Sequence, residues 1–450
     1  RDKEALMVGK LMCGEKSWLK LGTWAGSFIL LIAGMGCGAG AKTVAVDFAA
    51  IKGPATHRAS GFLHSISIEQ PDDQFVRQLK PQLFRLHTME ALTPALYRRL
   101  TGYGADIQIV ISDAYGYPGP SGIWPGDGGD WTRWENLVEE LVREADSKGL
   151  QLLWDIWNEP DSYNFWNRGG EQFFETWKRA VRAIRRVNPK ATIVGPSTAN
   201  GPSFYGFLLS AQADNVLPDI ISWHDMNLDH PNYVVPVRQF LAEHGIPDRP
   251  ISINEFMSSD GIEHPGLTVW WLSHIEEEAP ESAAYSCWPD LEGHSNCETD
   301  TLDGLLTRGG LPRAAWFAHK GYAEITGQLV NVEISGSGIV GIAGVDSDLQ
   351  TGRLLLGRRE SLHSSSDEAV EVVFRNINHL VKVSKDGEVF IRAVRISDAG
   401  TVDGPQVTVS ALYPVVNNEV RIRLPDFEAW DAYTVVLGRA ADRIPAVVPH

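Results

Sequence analysis

Two glutamates in this chain of 450 residues each end an apolar run, and each follows an asparagine. Glu159 stands in "WDIWNEPD" after Asn158, and Glu255 stands in "SINEF" after Asn254. Two carboxylates facing one cleft can hydrolyse a glycosidic bond with retention: one attacks the anomeric carbon, and the other protonates the leaving oxygen and later deprotonates water. Such a pair must titrate differently, with the pKa of the acid raised and the nucleophile held ionised. Considered singly, each glutamate could instead end a strand in an unrelated surface loop.

The chain around the two glutamates alternates, from residue 58 onward, between short apolar runs and longer amphipathic stretches. This alternation is typical of a parallel sheet or barrel built from βα units. Apolar residues at helical spacing predict helices over residues 134–147 and 172–187. The eight candidate strands are SGFLHSI, QLFRLHTM, ADIQIVIS, QLLWDIW, ATIVGPS, DIISWHD, PISINEF and AAYSCWP.

Eight βα units within residues 58–327 predict an α/β fold in which a (β/α)8 TIM barrel forms the catalytic domain. A doubly wound open sheet has a similar periodicity and is the structural alternative. The active site of a barrel lies at the carboxyl ends of its strands. Glu159 ends the fourth candidate strand and Glu255 the seventh, so a barrel would bring both carboxylates to the same face.

The helical spacing stops beyond residue 327, and short alternating strands such as QLVNVEIS and EVFIRAVRI follow. Residues 328–450 are therefore predicted to form an accessory domain, an antiparallel β-sandwich. Residues 42–57 contain KTVAVDF, a strand pattern without a helical partner in the barrel. We expect this strand to join the sandwich.

Residues 1–41 are predicted to be a leader, either a signal peptide or a membrane anchor. Lys16 and Lys20 precede a stretch without charged residues over residues 21–41, which contains FILLIAG and ends in AGA before Lys42. This pattern favours a cleaved secretory signal over a retained membrane anchor or a lipid attached at Cys37. We expect a secreted or cell-envelope protein, with membrane attachment only through the leader.

Composition narrows the possible partners. The net charge of −17 argues against nucleic acid, which requires clustered Lys and Arg. The 15 Trp residues supply aromatic faces that can stack on sugars, although many could equally be core residues. No Cys/His spacing resembles a zinc site, and we expect neither a metal nor an organic cofactor. Cys287 and Cys297 could pair in an exported protein or remain isolated thiols, and the sequence leaves both options open.

The pair of motifs "WNEPD" and "INEF" resembles the clan A glycoside hydrolases, and within that clan glycoside hydrolase family 39, the family of β-xylosidases and α-L-iduronidases. The likeness extends over roughly residues 44–440, including the terminal β-domain. It implies that Glu159, after the fourth strand, is the general acid/base. It implies equally that Glu255, at the seventh strand, is the nucleophile.

Further motifs agree with this resemblance. "FRLHTM" is similar to the family's second strand and implies that Arg85 and His87 lie under the glycone subsite. "ISWHDM" implies that His224 lies beside the nucleophile, and "YSCWPD" implies that Trp288 forms a wall of the sugar subsite. Asn158 is expected to hydrogen-bond the 2-hydroxyl of the sugar. For either histidine alone, a hydrogen-bonded core residue is the alternative.

The segment "GIWPGDGGDWTRW" after the third strand is too long and Gly-rich for a tight βα connection. We expect Trp124 and Trp131 in this loop to form a wall of the substrate cleft. Trp134 is predicted to anchor the helix that follows. Trp166, after the fourth strand, could line a subsite or pack in the core.

Three positions depart from the family pattern. Met226 stands where the family usually has an aromatic residue, and Phe256 replaces a tyrosine, which would remove a possible hydrogen bond near Glu255. Asp161 replaces an asparagine of the xylosidases, a change also found in the iduronidases. These differences concern the identity of the glycone, since both carboxylates are present.

The sequence is therefore interpreted as a retaining glycosidase with β-xylosidase-like activity on an oligosaccharide, glycoside or polysaccharide. The first alternative is a family relative that cleaves a uronic acid or an exopolysaccharide, in exo or endo mode. The second is a non-catalytic carbohydrate-binding protein on a hydrolase scaffold. An open α/β serine hydrolase is excluded because the chain has no G-x-S-x-G elbow.

Overall fold

The computed structural model describes most of the chain after the predicted leader. The described residues are 42–87, 91–227, 232–257, 264–287, 297, 301–359, 370–380, 387–398 and 404–438. The predicted leader and Trp288 lie outside these ranges. Within the ranges, no helix is long and apolar enough to cross a bilayer.

Eight strands form a closed parallel barrel, as predicted, and the open-sheet alternative is wrong. Each strand pairs with the next in parallel, and the first pairs with the last at Gly61 and Ala284. The barrel strands are β2 (Gly61–Leu63), β3 (Leu83–His87), β4 (Asp106–Val110), β5 (Leu153–Asp155), β6 (Thr192–Thr198), β7 (Ile220–Asp225), β8 (Ile251–Phe256) and β9 (Ser282–Tyr285). The fourth barrel strand is thus β5, and the seventh is β8.

Helices cover the outside of the barrel because their apolar stripes pack against strands that are buried on both faces. The two helices predicted from spacing are present and slightly longer than expected. The described helices are α1 (Asp73–Arg77), α2 (Pro94–Thr101), α3 (Ile111–Tyr115), α4 (Thr132–Lys148), α5 (Gly170–Val187), α6 (Tyr205–Ala213), α7 (Val234–Glu243), α8 (Pro265–Glu278) and α9 (Ala314–Ala323).

The accessory domain is a mostly antiparallel β-domain, as predicted. Its strands form one continuous nine-stranded sheet in the order β15-β14-β17-β12-β11-β10-β1-β13-β16. β1 comes from the other end of the described sequence and lies between β10, to which it is antiparallel, and β13, to which it is parallel. These strands are β1 (Thr43–Pro54), β10 (Gln328–Ile334), β11 (Ile339–Asp346), β12 (Thr351–Arg358), β13 (Val370–Arg375), β14 (Glu388–Ile396), β15 (Gln406–Pro414), β16 (Glu419–Leu424) and β17 (Ala432–Gly438).

The sheet packs against α8 and α9, the helices that follow β8 and β9. At the start of α8, the backbone of the helix lies against the backbone of β12. A Cβ on Gly266 would lie 2.4 Å from the carbonyl oxygen of Arg358. The N–H of Gly266 donates to the carbonyl of Trp430 at 2.6 Å. The accessory sheet thereby supports the helix that begins soon after Glu255.

Candidate active site

The two glutamates meet at the carboxyl ends of the barrel strands. Glu255 lies within the last two residues of β8, and Glu159 lies four residues beyond the end of β5. Glu159 has a left-handed backbone (φ +45°), a strained conformation for a residue with a Cβ. Its N–H donates to the carbonyl of Ser197 at 2.9 Å, which ties the loop to β6. Ligand atoms of Glu159, His224 and Glu255 all lie within 4.8 Å of one another.

Arg85 on β3 donates hydrogen bonds to three side chains at the base of the site. Its Nη1 donates to Oε1 of Glu255 at 2.5 Å, and its Nε and Nη2 donate to Oδ2 of Asp155 at 3.0 and 2.8 Å. Nη2 also donates to Oδ1 of Asn158 at 2.8 Å. Burial would lower the pKa of Arg85, but the carboxylates of Asp155 and Glu255 raise it above its ordinary value. The guanidinium is therefore charged and favours the ionised form of Glu255.

Asp155 is a buried carboxylate that the sequence reasoning did not identify as part of the site. Its Oδ2 accepts hydrogen bonds from Gln108 at 3.0 Å and Asn254 at 3.1 Å, besides Arg85. Its Oδ1 accepts one from Ser197 at 2.8 Å. Buried charges persist where they are paired and hydrogen-bonded, as here. The signal in the sequence was an aspartate inside the apolar run WDIW, four residues before Glu159.

Asn158 and Asn254, which look equivalent in sequence, have different roles in the structure. The carbonyl oxygen of Asn158 accepts from Arg85, and its backbone N–H donates to Ser112 at 3.0 Å. Asn158 can therefore offer its amide N–H groups toward a bound hydroxyl. The amide nitrogen of Asn254 is already bonded to Asp155 and, at 2.9 Å, to Ser197.

The two predicted histidines lie at the site in different environments. His224 is fully buried, with Nδ1 3.0 Å from Oε1 of Glu159 and Nε2 3.5 Å from Oε1 of Glu255. The side chain of His87 is 52% exposed, with Nδ1 2.5 Å from Oδ2 of Asp113. Its ring stacks on His64 at 3.7 Å between centroids. His224 thus bridges the glutamates, whereas His87 presents an edge to solvent.

A hydrogen-bonded chain leads from His87 back to Asn158. Asp113 contacts both His87 and the hydroxyl of Tyr117, and that hydroxyl lies 2.8 Å from Oγ of Ser112. Burial would raise the pKa of Asp113, but the hydrogen bonds from His87 and Tyr117 lower it below its usual range. Asp113 is therefore a second ionised carboxylate in the cleft that the sequence reasoning missed. Its position just after β4 was the available signal.

Trp124 is not a wall of the cleft, which corrects the expectation from the sequence. Only 1% of Trp124 is exposed, and its ring packs 6.2 Å from Trp157 and 5.3 Å from Trp166. Trp166 is likewise buried. The loop after β4 folds its aromatic ring inward because the neighbouring loop supplies other tryptophans to pack against. The cluster supports the loop that carries Glu159.

Trp131 contacts the α4–α5 surface. Its ring lies against Gly126 and beneath the guanidinium of Arg179, 4.9 Å from the ring centre. None of the described contacts of Trp131 involves the two glutamates. Trp134 anchors α4, as predicted, through a 2.9 Å hydrogen bond from its indole N–H to the carbonyl of Thr176 on α5.

Two of the departures from the family pattern acquire a physical explanation. Phe256 is fully buried and packs outward against Trp271 at 5.9 Å and Tyr285 at 6.3 Å. These ring contacts place Phe256 against α8 and β9, whereas the carboxylate of Glu255 contacts Arg85. The expected loss of a hydrogen bond near Glu255 is therefore wrong. Met226 accepts a long contact from the hydroxyl of Ser286 at 3.8 Å.

Glu159, His224 and Glu255 have the residue types and the proximity of a metal site. However, Oε1 of Glu255 is already bonded to the Arg85 guanidinium. A cation at hydrogen-bond distance from a ligand oxygen opposes the binding of a divalent ion there. The donor set therefore fits a pair of reacting carboxyl groups better than a metal centre.

Cys287 and Cys297 form a disulfide with their Cα atoms 5.3 Å apart. Cys287 lies two residues beyond the end of β9. It resolves the choice between paired and isolated thiols that the sequence left open.

The comparisons with known proteins agree with this geometry. Residues 126–237 match the family described as glycosyl hydrolases family 39. A 3-O-α-D-galactosyl-α-L-arabinofuranosidase of Bifidobacterium longum subsp. longum is 26% identical over 243 residues, covering 51% of this chain and 20% of that protein. A β-xylosidase of Geobacillus stearothermophilus is 23% identical over 193 residues, covering 35% of this chain and 38% of that protein. The chain therefore matches less than two fifths of the length of these curated relatives.

The fold is shared with solved structures over most of the chain. The structure of a family 39 glycoside hydrolase from Xanthomonas axonopodis pv. citri superposes with a TM-score of 0.67 at 15% identity. The superposition covers 91% of this chain and all of that one. The barrel and the accessory sheet are thus both part of the shared architecture.

A closed parallel barrel with glutamates at the ends of its fourth and seventh strands defines the class of clan A glycoside hydrolases. The chain resembles this class in its fold and in the strands that carry the two glutamates. Within it, the chain resembles glycoside hydrolase family 39, as its motifs predicted.

Proposed function

We propose that the protein is a retaining glycoside hydrolase with β-xylosidase-like activity, in which Glu159 is the general acid/base and Glu255 the nucleophile. The observation that carries this proposal is the approach of the two carboxyl groups, with reactive atoms of both within 4.8 Å of each other and of His224. Retaining enzymes hold their carboxyl groups about 5–5.5 Å apart, whereas inverting enzymes need about 6.5–9.5 Å to admit a water.

The surroundings support this division of roles. Glu255 is 2% exposed and bonded to a charged arginine, which favours the ionised form that a nucleophile requires. Glu159 is 17% exposed and has His224 as its partner, with no arginine at its carboxyl group in the described part of the chain. Trp157 and Pro160 flank it in sequence. The absence of a fixed cation beside this carboxyl group, among the described residues, fits the role of the residue that donates and accepts the proton.

The reaction then proceeds in two displacements. Glu255 attacks the anomeric carbon as Glu159 gives its proton to the departing glycosidic oxygen, which leaves a glycosyl ester on Glu255. Glu159, now ionised, takes a proton from water, and the oxygen of that water displaces Glu255 from the anomeric carbon. Arg85 positions the amide of Asn158 to donate to the 2-hydroxyl of the glycone. The exposed edge of His87 can contact another hydroxyl of the same sugar.

The glycone is proposed from the relatives. The Geobacillus relative is named a β-xylosidase, which supports a β-D-xyloside. The Bifidobacterium relative is named an α-L-arabinofuranosidase, which makes an α-L-arabinofuranoside the second candidate. Cleavage of a uronic acid or exopolysaccharide, in exo or endo mode, and sugar binding without catalysis are the remaining alternatives.

We also propose that the protein acts outside the cytoplasm. The Cys287–Cys297 disulfide supports this, because such bonds persist in oxidising compartments and are rare in the cytosol. The predicted leader is consistent with export.

The test is to trap the glycosyl ester. The protein is incubated with 2-deoxy-2-fluoro glycosides of xylose and of arabinofuranose that carry good leaving groups, and proteolytic fragments are analysed by mass spectrometry. We expect one glycosyl unit on Glu255, and none on the Glu255→Gln variant. The sugar that labels fastest identifies the glycone. The configuration of the product released from the parent aryl glycosides is measured by NMR, and an inverted product contradicts the mechanism. If none of these glycosides is hydrolysed, the result supports the binding-protein alternative.

A further inference from the structure

We propose that an apolar pocket beside the acid/base loop binds the aglycone, the part of the substrate that leaves with the glycosidic oxygen. The chemistry of this pocket fits an alkyl or aryl group, so that the substrate class is glycosides with an apolar aglycone. The inference rests on the proposed hydrolase function and deepens it.

The pocket lies between the N-terminal parts of α5 and α6, and both helices begin at the end of the barrel that carries the two glutamates. Its volume is about 480 Å³, within the range of about 300–1,000 Å³ that is typical of small-molecule sites. Four aromatic rings line it, those of Phe173, Phe174, Phe204 and Phe207. We call it the α5–α6 pocket.

The α5–α6 pocket has an apolar floor and an open mouth. Phe173 and Phe204 are buried, whereas Gly170 on α5 and Gly206 on α6 are exposed. A Cβ on either glycine would meet no atom within 4 Å apart from its own chain neighbours. Glu171, which also lines the pocket, is exposed to solvent. A ligand can therefore enter past the two glycines and reach aromatic rings that are largely withdrawn from water.

The α5–α6 pocket is continuous with the loop that carries the acid/base. Pro160, the residue after Glu159, lines the pocket. Pro196 and Thr198 of β6 also line it, and the carbonyl of Ser197 between them accepts the N–H of Glu159 at 2.9 Å. The general acid protonates the leaving oxygen, so the aglycone lies on the side of Glu159. An aglycone that extends past Glu159 and Pro160 therefore enters this pocket.

The hydroxyl groups on the wall of the pocket already donate within the protein. The hydroxyl of Thr198 donates to the carbonyl of Gly201 at 2.6 Å. That of Ser203 donates to Oδ2 of Asp161 at 3.2 Å, and that of Ser210 donates to a carbonyl of its own helix at 3.1 Å. A sugar unit in the pocket would leave several of its hydroxyls without partners, a desolvation cost that an alkyl chain or aromatic ring does not have. The α5–α6 pocket therefore favours an apolar aglycone over a second sugar.

The experiment compares the methyl and n-octyl β-D-xylosides, and likewise the two α-L-arabinofuranosides, below the concentration at which the octyl glycosides form micelles. Both aglycones leave as simple alkanols of nearly equal acidity, so a difference in kcat/KM reports binding of the chain. We expect kcat/KM for the octyl glycoside to exceed that for the methyl glycoside by at least about 15-fold, the effect of burying two methylenes at about fourfold each.

Two variants locate the effect. Gly206→Leu places a side chain in the open space of the pocket, and it suits α6 because glycine is a poor helix former. We expect the octyl-to-methyl ratio of this variant to fall to within about threefold of one, whatever the substitution does to the absolute rates. Leu209→Ala is the control, since Leu209 is 39% exposed on the same helix and does not line the pocket. That variant should keep the ratio of the unchanged protein.

Binding without turnover separates the pocket from the chemistry. The affinities of the methyl and octyl glycosides for the Glu255→Gln variant are measured by titration calorimetry. We expect the octyl glycoside to bind at least about 15-fold more tightly, by the same burial of methylenes. The double variant Glu255→Gln/Gly206→Leu should bind both glycosides about equally.

The outcomes distinguish the two proposals. Hydrolysis of the methyl and octyl glycosides with equal kcat/KM supports the hydrolase and overturns the aglycone pocket. An octyl preference that persists in Gly206→Leu overturns the pocket as well, because the chain then binds elsewhere. If no glycoside is hydrolysed, the proposed function is overturned, and with it the assignment of the pocket to a leaving group.

Discussion

The region around Glu255 and the region around Glu159 hold the same side chain in opposite ways. Glu255 belongs to a regular strand, is 2% exposed and contacts a charged guanidinium. Glu159 lies in a loop with a strained backbone, is 17% exposed and contacts a histidine. The first carboxylate is bonded to a fixed cation, whereas the second has a histidine beside it and a larger exposed fraction. The difference indicates that two glutamates in one cleft need not be interchangeable, and substitutions at each site should have different effects.

The largest effect is expected for Glu255→Ala, because no covalent intermediate can form without the carboxylate. We expect kcat/KM on an aryl glycoside to fall by at least about 10⁴-fold. Added azide should restore turnover by occupying the vacated space and should give the inverted glycosyl azide. Glu276→Gln is the control, since the side chain of Glu276 is only 7% exposed and pairs with Arg58 away from the two glutamates. A retained azide product from Glu255→Ala would reverse the assignment of the two glutamates.

The next effect is expected for Glu159→Ala, and it should depend on the leaving group. General acid catalysis contributes about 10²–10⁴-fold to the rate. For substrates with poor leaving groups, kcat/KM of the variant should fall by that factor. For a dinitrophenyl glycoside, the rate of the first step should fall far less. Azide should here give the retained glycosyl azide, because it attacks the ester on Glu255. Equal losses on good and poor leaving groups would count against Glu159 as the acid.

Arg85→Lys should weaken the contacts that hold the Glu255 carboxylate and so make its environment more like that of Glu159. The ammonium keeps a positive charge but cannot contact Asp155, Glu255 and Asn158 together. We expect kcat/KM to fall about 10²-fold, and the acidic limb of its pH profile to move to higher pH, because Glu255 is then less strongly held in its ionised form. Arg168→Lys provides the matched control at the rim. An unchanged pH profile in Arg85→Lys would show that Arg85 does not set the charge state of Glu255.

The smallest effect is expected on removal of metal ions. If His224 orients two reacting carboxyl groups, dialysis against a chelator should leave kcat/KM unchanged within about twofold, and added Zn²⁺ should not activate the enzyme. Loss of activity that is restored by one divalent ion would show instead that Glu159, His224 and Glu255 act as ligands, and the comparison between the glutamates would fail.

Local patterns in the sequence predicted the elements that carry the site. Apolar runs alternating with helical spacing predicted the eight strands, and the interruption of two runs by Asn-Glu identified Glu159 and Glu255. Arg85 and His224 were identified only through the resemblance to a family, because a single arginine or histidine at a strand end carries no signal of its own. Asp155 and Asp113 were missed although each had a signal: Asp155 interrupts an apolar run, and Asp113 follows a strand end. Trp124 was misjudged because a tryptophan in a long loop looks the same in sequence whether it faces a cleft or the core.

By itself, the sequence determined the class of fold and the strand on which each glutamate lies, since hydrophobic spacing is a local property of the chain. Only the tertiary structure decided that carboxylates 96 residues apart in sequence contact one histidine. It also decided that Arg85 hydrogen-bonds to Asp155 and Glu255, and that Phe256 faces away from the cleft. Those facts depend on barrel closure and on the register between neighbouring strands. Both arise from the packing of distant segments against each other, which no local pattern records.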